Sequence, residues 1–160
     1  MSKQIKYSST RGGETSLSYE DVLLSGLARD GGLFMPEEWP SFSQSELQDM
    51  KHLNYAQLAA KVMQPFIKPY LSKIEILEIC KETYLSFNNG VAPLHQLKNN
   101  TYILELFHGP TFAFKDYAMQ FLSRAFNKTL KDRKKRAVIL GATSGDTGSA
   151  ALEAFKRQDN

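Results

Sequence analysis

The sequence predicts an α/β fold: a mainly helical N-terminal portion, followed by the start of an open α/β sheet domain left incomplete. Three observations predict it. Over residues 1–90, apolar residues recur at helical spacing behind serine and asparagine caps. Over residues 91–160, a strand-like run, an amphipathic helix, a short wholly apolar run and a second helix alternate. Only two clear strands precede Asn160, too few to cover a sheet's faces and edges, which implies a piece of a longer protein. The expected domains are therefore 1–90 and 91–160.

Ser18, Ser43 and Ser72 each have an acidic residue three positions on (Asp21, Glu46 and Glu75). That spacing sets a hydroxyl acceptor against an orphan helix amide and an acid at the positive helix end. The helix after Ser18 carries Val22, Leu23 and Leu27 and should stop at Asp30-Gly31-Gly32. Residues 31–36 read as a tight bend and a short apolar piece that plugs the helical core. A helix capped by Asn54 presents Leu58, Ala59, Val62 and Met63, and Pro65 should end it. The helix after Ser72 presents Ile74, Leu77, Cys80 and Tyr84 and should end at Asn88-Asn89-Gly90. These apolar faces are expected to share one core. Further on, residues 101–107 read as a strand, and 115–130 as a helix with Ala118, Phe121, Leu122, Ala125 and Phe126 inward. Residues 137–140 read as a short strand of the kind buried in parallel sheets, before a glycine-rich loop at 141–148 and a last helix through Ala151, Ala154 and Phe155.

Composition excludes several classes. With 42% hydrophobic and 23% charged residues the chain is of globular rather than disordered type. A net charge of +3 is too small to imply a nucleic-acid partner, and no aromatic residue interleaves with its basic run at 131–136. That run faces the negative end of a helix and reads as a solvated loop. No stretch of about 18 apolar residues is present and the N-terminus lacks an apolar signal core, so neither membrane nor export is expected. The single cysteine, Cys80, forms no internal disulfide and reads as a small core residue in a reducing, cytoplasmic protein. His52 and His95 have no partners at metal-ligand spacing, so no metal is expected.

Two segments carry chemistry. Lys115 lies within His108-Gly109-Pro110-Thr111-Phe112-Ala113-Phe114-Lys115-Asp116, at the first turn of a helix. Burial beside Phe112 and Phe114 and the positive helix end both disfavour an ammonium, favouring a neutral amine that can attack a carbonyl. The alternative is a stem packed on the aromatics, its head in water or paired with Asp116. The second segment is Gly141-Ala142-Thr143-Ser144-Gly145-Asp146-Thr147-Gly148, between a strand and a helix, where amides and hydroxyls converge on an anion. A plain glycine turn is its structural alternative. The loop lacks the lysine of a Walker A motif. It is closer to a dinucleotide loop, although Gly148 follows Gly145 by three positions with Asp146 between them. An NAD(P)-binding oxidoreductase therefore stays open, as does a non-enzymatic helical interaction module.

Together these segments, with Tyr7-Ser8-Ser9-Thr10-Arg11 and the run from Gly26 to Pro36, resemble the N-terminal portion of the threonine synthases, pyridoxal-phosphate enzymes of fold type II. The resemblance implies a carbon–oxygen lyase that converts O-phospho-L-homoserine and water into L-threonine and phosphate, the last step of threonine biosynthesis. It implies that Lys115 holds pyridoxal 5'-phosphate covalently and then shuttles protons. Thr143, Ser144, Gly145, Asp146 and Thr147 would hold the substrate α-carboxylate, and Asp146 stands where several relatives carry asparagine. Arg11 and His108 are candidates for the substrate phosphate or for orienting the site, against a surface arginine and a strand-end histidine. The groups for the cofactor phosphate and pyridine nitrogen would follow Asn160, so 91–160 would be the first part of the cofactor domain and the isolated piece inactive. The sequence assigns no oligomeric state.

Overall fold

The structure, a computed structural model, describes residues 4–156 and 158. It divides between Glu78 and Ile79 into two compact units. The first holds strand β1 (Tyr7–Ser9), helix α1 (Tyr19–Ser25), strand β2 (Phe34–Pro36), and helices α2 (Gln44–Met50) and α3 (Tyr55–Ile67). The division falls inside helix α4 (Lys73–Tyr84). The second unit adds strands β3 (Leu94–Lys98) and β4 (Thr101–Leu104) and helices α5 (Asp116–Asp132) and α6 (Asp146–Phe155).

In the first unit the local capping chemistry forms as the spacing predicts. Ser18 Oγ accepts from the Asp21 amide, Ser43 Oγ from Glu46 and Ser72 Oγ from Glu75, each at 3.2 Å. Asn54 and Gln57 close a reciprocal box, amide to side-chain oxygen, at 3.0 Å both ways. Such caps each contribute about 0.5–2 kcal/mol. The core gathers Ile5, Tyr7, Ala28, Met50, Ala60, Ile67, Leu71 and Ile76. Tyr7 completes its burial by donating its hydroxyl to the Phe66 carbonyl at 2.7 Å.

Three expectations fail here for physical reasons. Helix α1 ends at Ser25, because Gly26 takes up φ +71° while its amide still bonds Val22 O, and Leu27 is left outside at 62% exposure. Pro65 does not end α3, which runs on to the buried Ile67. A proline in the last turn forfeits a single amide bond, and the Lys68 amide still reaches Gln64 O at 3.1 Å. Residues 31–36 do not plug the core: β2 pairs antiparallel with β1, Ser8 opposite Met35, leaving Leu33 and Met35 exposed.

Asp30 ties that strand pair together. Its carboxylate accepts from the Gly32 amide at 2.8 Å and the Gly13 amide at 2.7 Å, and the Ser9 hydroxyl donates across both oxygens. A Cβ at Gly32 would lie 2.1 Å from Ser9 Oγ, so only glycine fits beneath. The Gly32 amide first, then the Ser9 hydroxyl, hold the Asp30 carboxyl below the usual aspartate range. A lowered folded pKa stabilises above the unfolded value, and the contribution disappears as pH falls through the folded value. Asp30→Asn is therefore expected to melt below the parent at neutral pH. The gap should close as the solution is acidified, which thermal melts across pH would show.

The second unit departs further from expectation. The strand expected at 101–107 is β4, and it pairs antiparallel with β3, Leu94 opposite Leu104, instead of opening a parallel sheet. Residues 137–140 form no strand, with Val138 95% and Leu140 96% exposed. A strand exists only through its neighbours' hydrogen bonds, and among the described residues none lies alongside. Helix α5 keeps part of the expected face, with Ala125 buried and Phe126 packed on α6, and is covered on other sides as well. It buries Asp116, Gln120, Ser123, Ala125, Thr129 and Leu130, while Ala118 is exposed. Cys80 is fully buried, as expected of a core residue, and burial pushes its thiol up to about 12. Edge-to-face rings carry the core from Tyr84 through Phe87 to Tyr117 (centroids 5.5 and 4.8 Å), and Phe126 meets Phe155 where α5 packs on α6.

Candidate active site

Lys115 sits at the end of a loop fixed at both sides. At its entry His108 is buried: its carbonyl accepts from the Asn88 amide at 3.0 Å, and its Nδ1 lies 3.3 Å from Asn89 Nδ2. Its Nε2 stands 2.6 Å from Glu105 Oε2. The other Glu105 oxygen faces His95 Nε2 at 3.5 Å. Sequence reading did not pair Glu105 with His108; their i, i+3 spacing was the available signal.

The loop then turns tightly. The Phe112 amide bonds Gly109 O at 3.2 Å, and Phe112 takes up φ +63°, rare for a bulky residue. At the exit Asp116, fully buried, accepts from both the amide and the hydroxyl of Thr111 at 2.8 Å. Lys115 is the last residue before α5, without a side-chain cap, and its carbonyl accepts from Met119 at 2.9 Å. Its Nζ lies 4.4 Å from the centroid of the Phe114 ring. The enclosing apolar wall expected from Phe112 and Phe114 is absent, since both rings are exposed, at 73% and 55%. The ion pair with Asp116 is absent too: that carboxylate is turned to Thr111, and among the described residues no carboxylate pairs with the Lys115 ammonium.

The 141–148 loop opens α6. Thr143 Oγ1 accepts from the Gly145 amide at 3.2 Å and the Gly148 amide at 3.0 Å, so its oxygen braces the turn and only its proton is left to give. Gly145 has φ +146°, and a Cβ on Gly148 would stand 2.6 Å from Thr143 Oγ1. Among the described residues no acceptor meets the amides of Asp146 and Thr147, the first two positions of α6. These, with the exposed Ser144 hydroxyl, are the donors left for an anion. Ser149, which sequence reading overlooked, bonds back to Gly145 O and Asp146 O. Lys115 and the Thr143-to-Thr147 segment thus stand at the N-terminal ends of two helices packed on each other, with no direct bond joining them among the described residues. Arg11 lies in the first unit, its guanidinium bonded to the Asp30 carbonyl at 3.1 Å.

Among the described residues no group of three His, Cys, Asp or Glu side chains could hold a metal, and no helix is long and apolar enough to cross a membrane. Comparison with known proteins is decisive. Residues 6–84 match the family model for the threonine synthase N terminus. The threonine synthase of Pseudomonas aeruginosa is 50% identical over 157 residues, covering 98% of this chain and 34% of that protein. The chain belongs to the threonine synthase family. It superposes with a TM-score of 0.94 on the crystal structure of a pyridoxal-phosphate-bound threonine synthase from Brucella melitensis, 46% identical, covering 98% of this chain and 34% of that one. The yeast threonine synthase structure gives 0.88 at 37% identity, over 97% and 33%. The chain thus spans about a third of the length of the threonine synthases it matches, and its helices and small sheets are the N-terminal part of that fold.

Proposed function

We propose that this chain is the N-terminal third of a pyridoxal-phosphate-dependent threonine synthase, which converts O-phospho-L-homoserine and water into L-threonine and phosphate. The observation that carries it is the Lys115 amine: paired with no carboxylate among the described residues, at a helix N-terminus, in a chain that matches a pyridoxal-phosphate-bound relative along almost its whole length. The residues present fit such a group. A primary amine without an ion partner among the described residues would lose its proton and condense with an aldehyde, whose oxygen leaves as water. When bound, the cofactor supplies the electron sink. The chain's own residues then have defined tasks. Lys115 anchors the cofactor and, once displaced, moves protons with its Nζ. The amides of Asp146 and Thr147 and the Ser144 hydroxyl bind the substrate α-carboxylate, with Gly145 and the Thr143 brace shaping the turn. A cytoplasmic location and a cofactor domain beginning near residue 91 belong to the same reading.

An NAD(P)-dependent oxidoreductase is disfavoured because the relatives matched across the 141–148 loop are threonine synthases. In the full-length enzyme, borohydride reduction followed by peptide mass analysis is expected to find the cofactor fixed on Lys115. Fixation on another lysine, or none at all, refutes the assignment.

A further inference from the structure

We propose that Asp116, working through Thr111, is a positioning residue for the Lys115 amine; the proposal rests on the reading of Lys115 as cofactor anchor. Asp116 is fully buried, and a carboxylate out of water is costly unless its oxygens are met. Both are met by one residue, Thr111, through its amide and its hydroxyl. This is not helix capping. The cap position is Lys115, which makes no capping bond, and Asp116 lies inside the helix. The carboxylate instead reaches backward and closes the loop that carries Lys115.

Two independent features show how tightly the loop is fitted to this carboxylate. At Gly109 an added Cβ would meet Asp116 Cβ and Oδ2 at 2.5 Å, so the chain passes against the carboxylate at a distance only glycine allows. Phe112, one residue after Thr111, is held in the left-handed region at φ +63° with its ring mostly in solvent, so ring burial does not account for the strain. The bonds from Thr111 to Asp116 hold that conformation. With Asp116 locked at the first helical position, the backbone of Lys115 is fixed, and only its side-chain torsions decide where Nζ lies. A reacting amine misplaced by about 1 Å loses on the order of 10²-fold in rate, which is what such a clamp prevents.

The test uses the full-length enzyme with its cofactor, as parent and as Thr111→Val, Thr111→Ser and Asp116→Asn. Thr111→Val removes one of the two bonds and keeps the amide, so it remains informative if Asp116→Asn folds poorly. We expect Thr111→Val and Asp116→Asn to shift the absorbance of the lysine-bound cofactor. They should cut borohydride fixation at Lys115 by about tenfold or more and lower kcat more than they raise KM. Thr111→Ser, which restores the hydroxyl, should recover all three. Variants that match the parent in absorbance, fixation and kcat, and differ only in melting temperature, would reduce the clamp to a structural one and overturn the proposal. If the parent itself is not fixed at Lys115, the cofactor assignment fails first and takes the positioning role with it.

Discussion

Replacing Lys115 by alanine in the full-length enzyme is expected to abolish fixation of the cofactor and to lower turnover by roughly 10²–10⁴-fold, through loss of the amine proposed to transfer protons. The protein itself should hardly notice. Lys115 is half-buried, its ammonium makes no ion pair among the described residues, and its one aromatic contact is the Phe114 face. An exposed contact of that kind contributes about 0.5–1 kcal/mol, so the unfolding free energy should fall by no more than that. Large functional loss with small stability loss is the signature of a residue kept for chemistry. A variant that keeps turnover within a few-fold of the parent, or one that unfolds, would contradict the expectation.

Gly109→Ala is expected to do the opposite and act first on stability. Its added methyl would stand 2.5 Å from both Asp116 Cβ and Oδ2. Asp116 is fully buried and bonded to Thr111, and has no free torsion by which to step aside. Forcing a methyl into so tight a place costs about 1–3 kcal/mol. Gly141→Ala provides the internal control, because a methyl there meets only Thr143 Cγ2 at 4.0 Å. Denaturant unfolding should separate the two by more than about 1 kcal/mol. Equal midpoints would show that the loop yields where it is drawn rigid.

What could be read from the chain was what is decided within one turn of backbone. Ser18, Ser43, Asn54 and Ser72 cap their helices because the acceptor and the amide it meets are three residues apart, whatever the rest of the fold does. The identity of Lys115 as the residue to watch came from its neighbours in sequence, but its surroundings did not. Phe112 and Phe114 looked like walls, and the positive φ of Phe112, which no composition rule signals, leaves its ring in solvent. Asp116 looked like a partner for the ammonium. Its carboxylate turns to Thr111 instead, five residues back, through a loop whose shape only Gly109 permits. The strand pairings were the least legible. The pairing of β1 with β2 joins residues on either side of α1, and residues 137–140 need neighbours that their own sequence does not name.

The bare apolar segment at 138–140 has a consequence for the chain in solution. Val138 and Leu140 stand almost wholly in water and Ile139 half so, three large apolar side chains in a row with no charge among them. Wherever they stay uncovered, one copy can stick to another through them, whatever the charge on the rest of the surface.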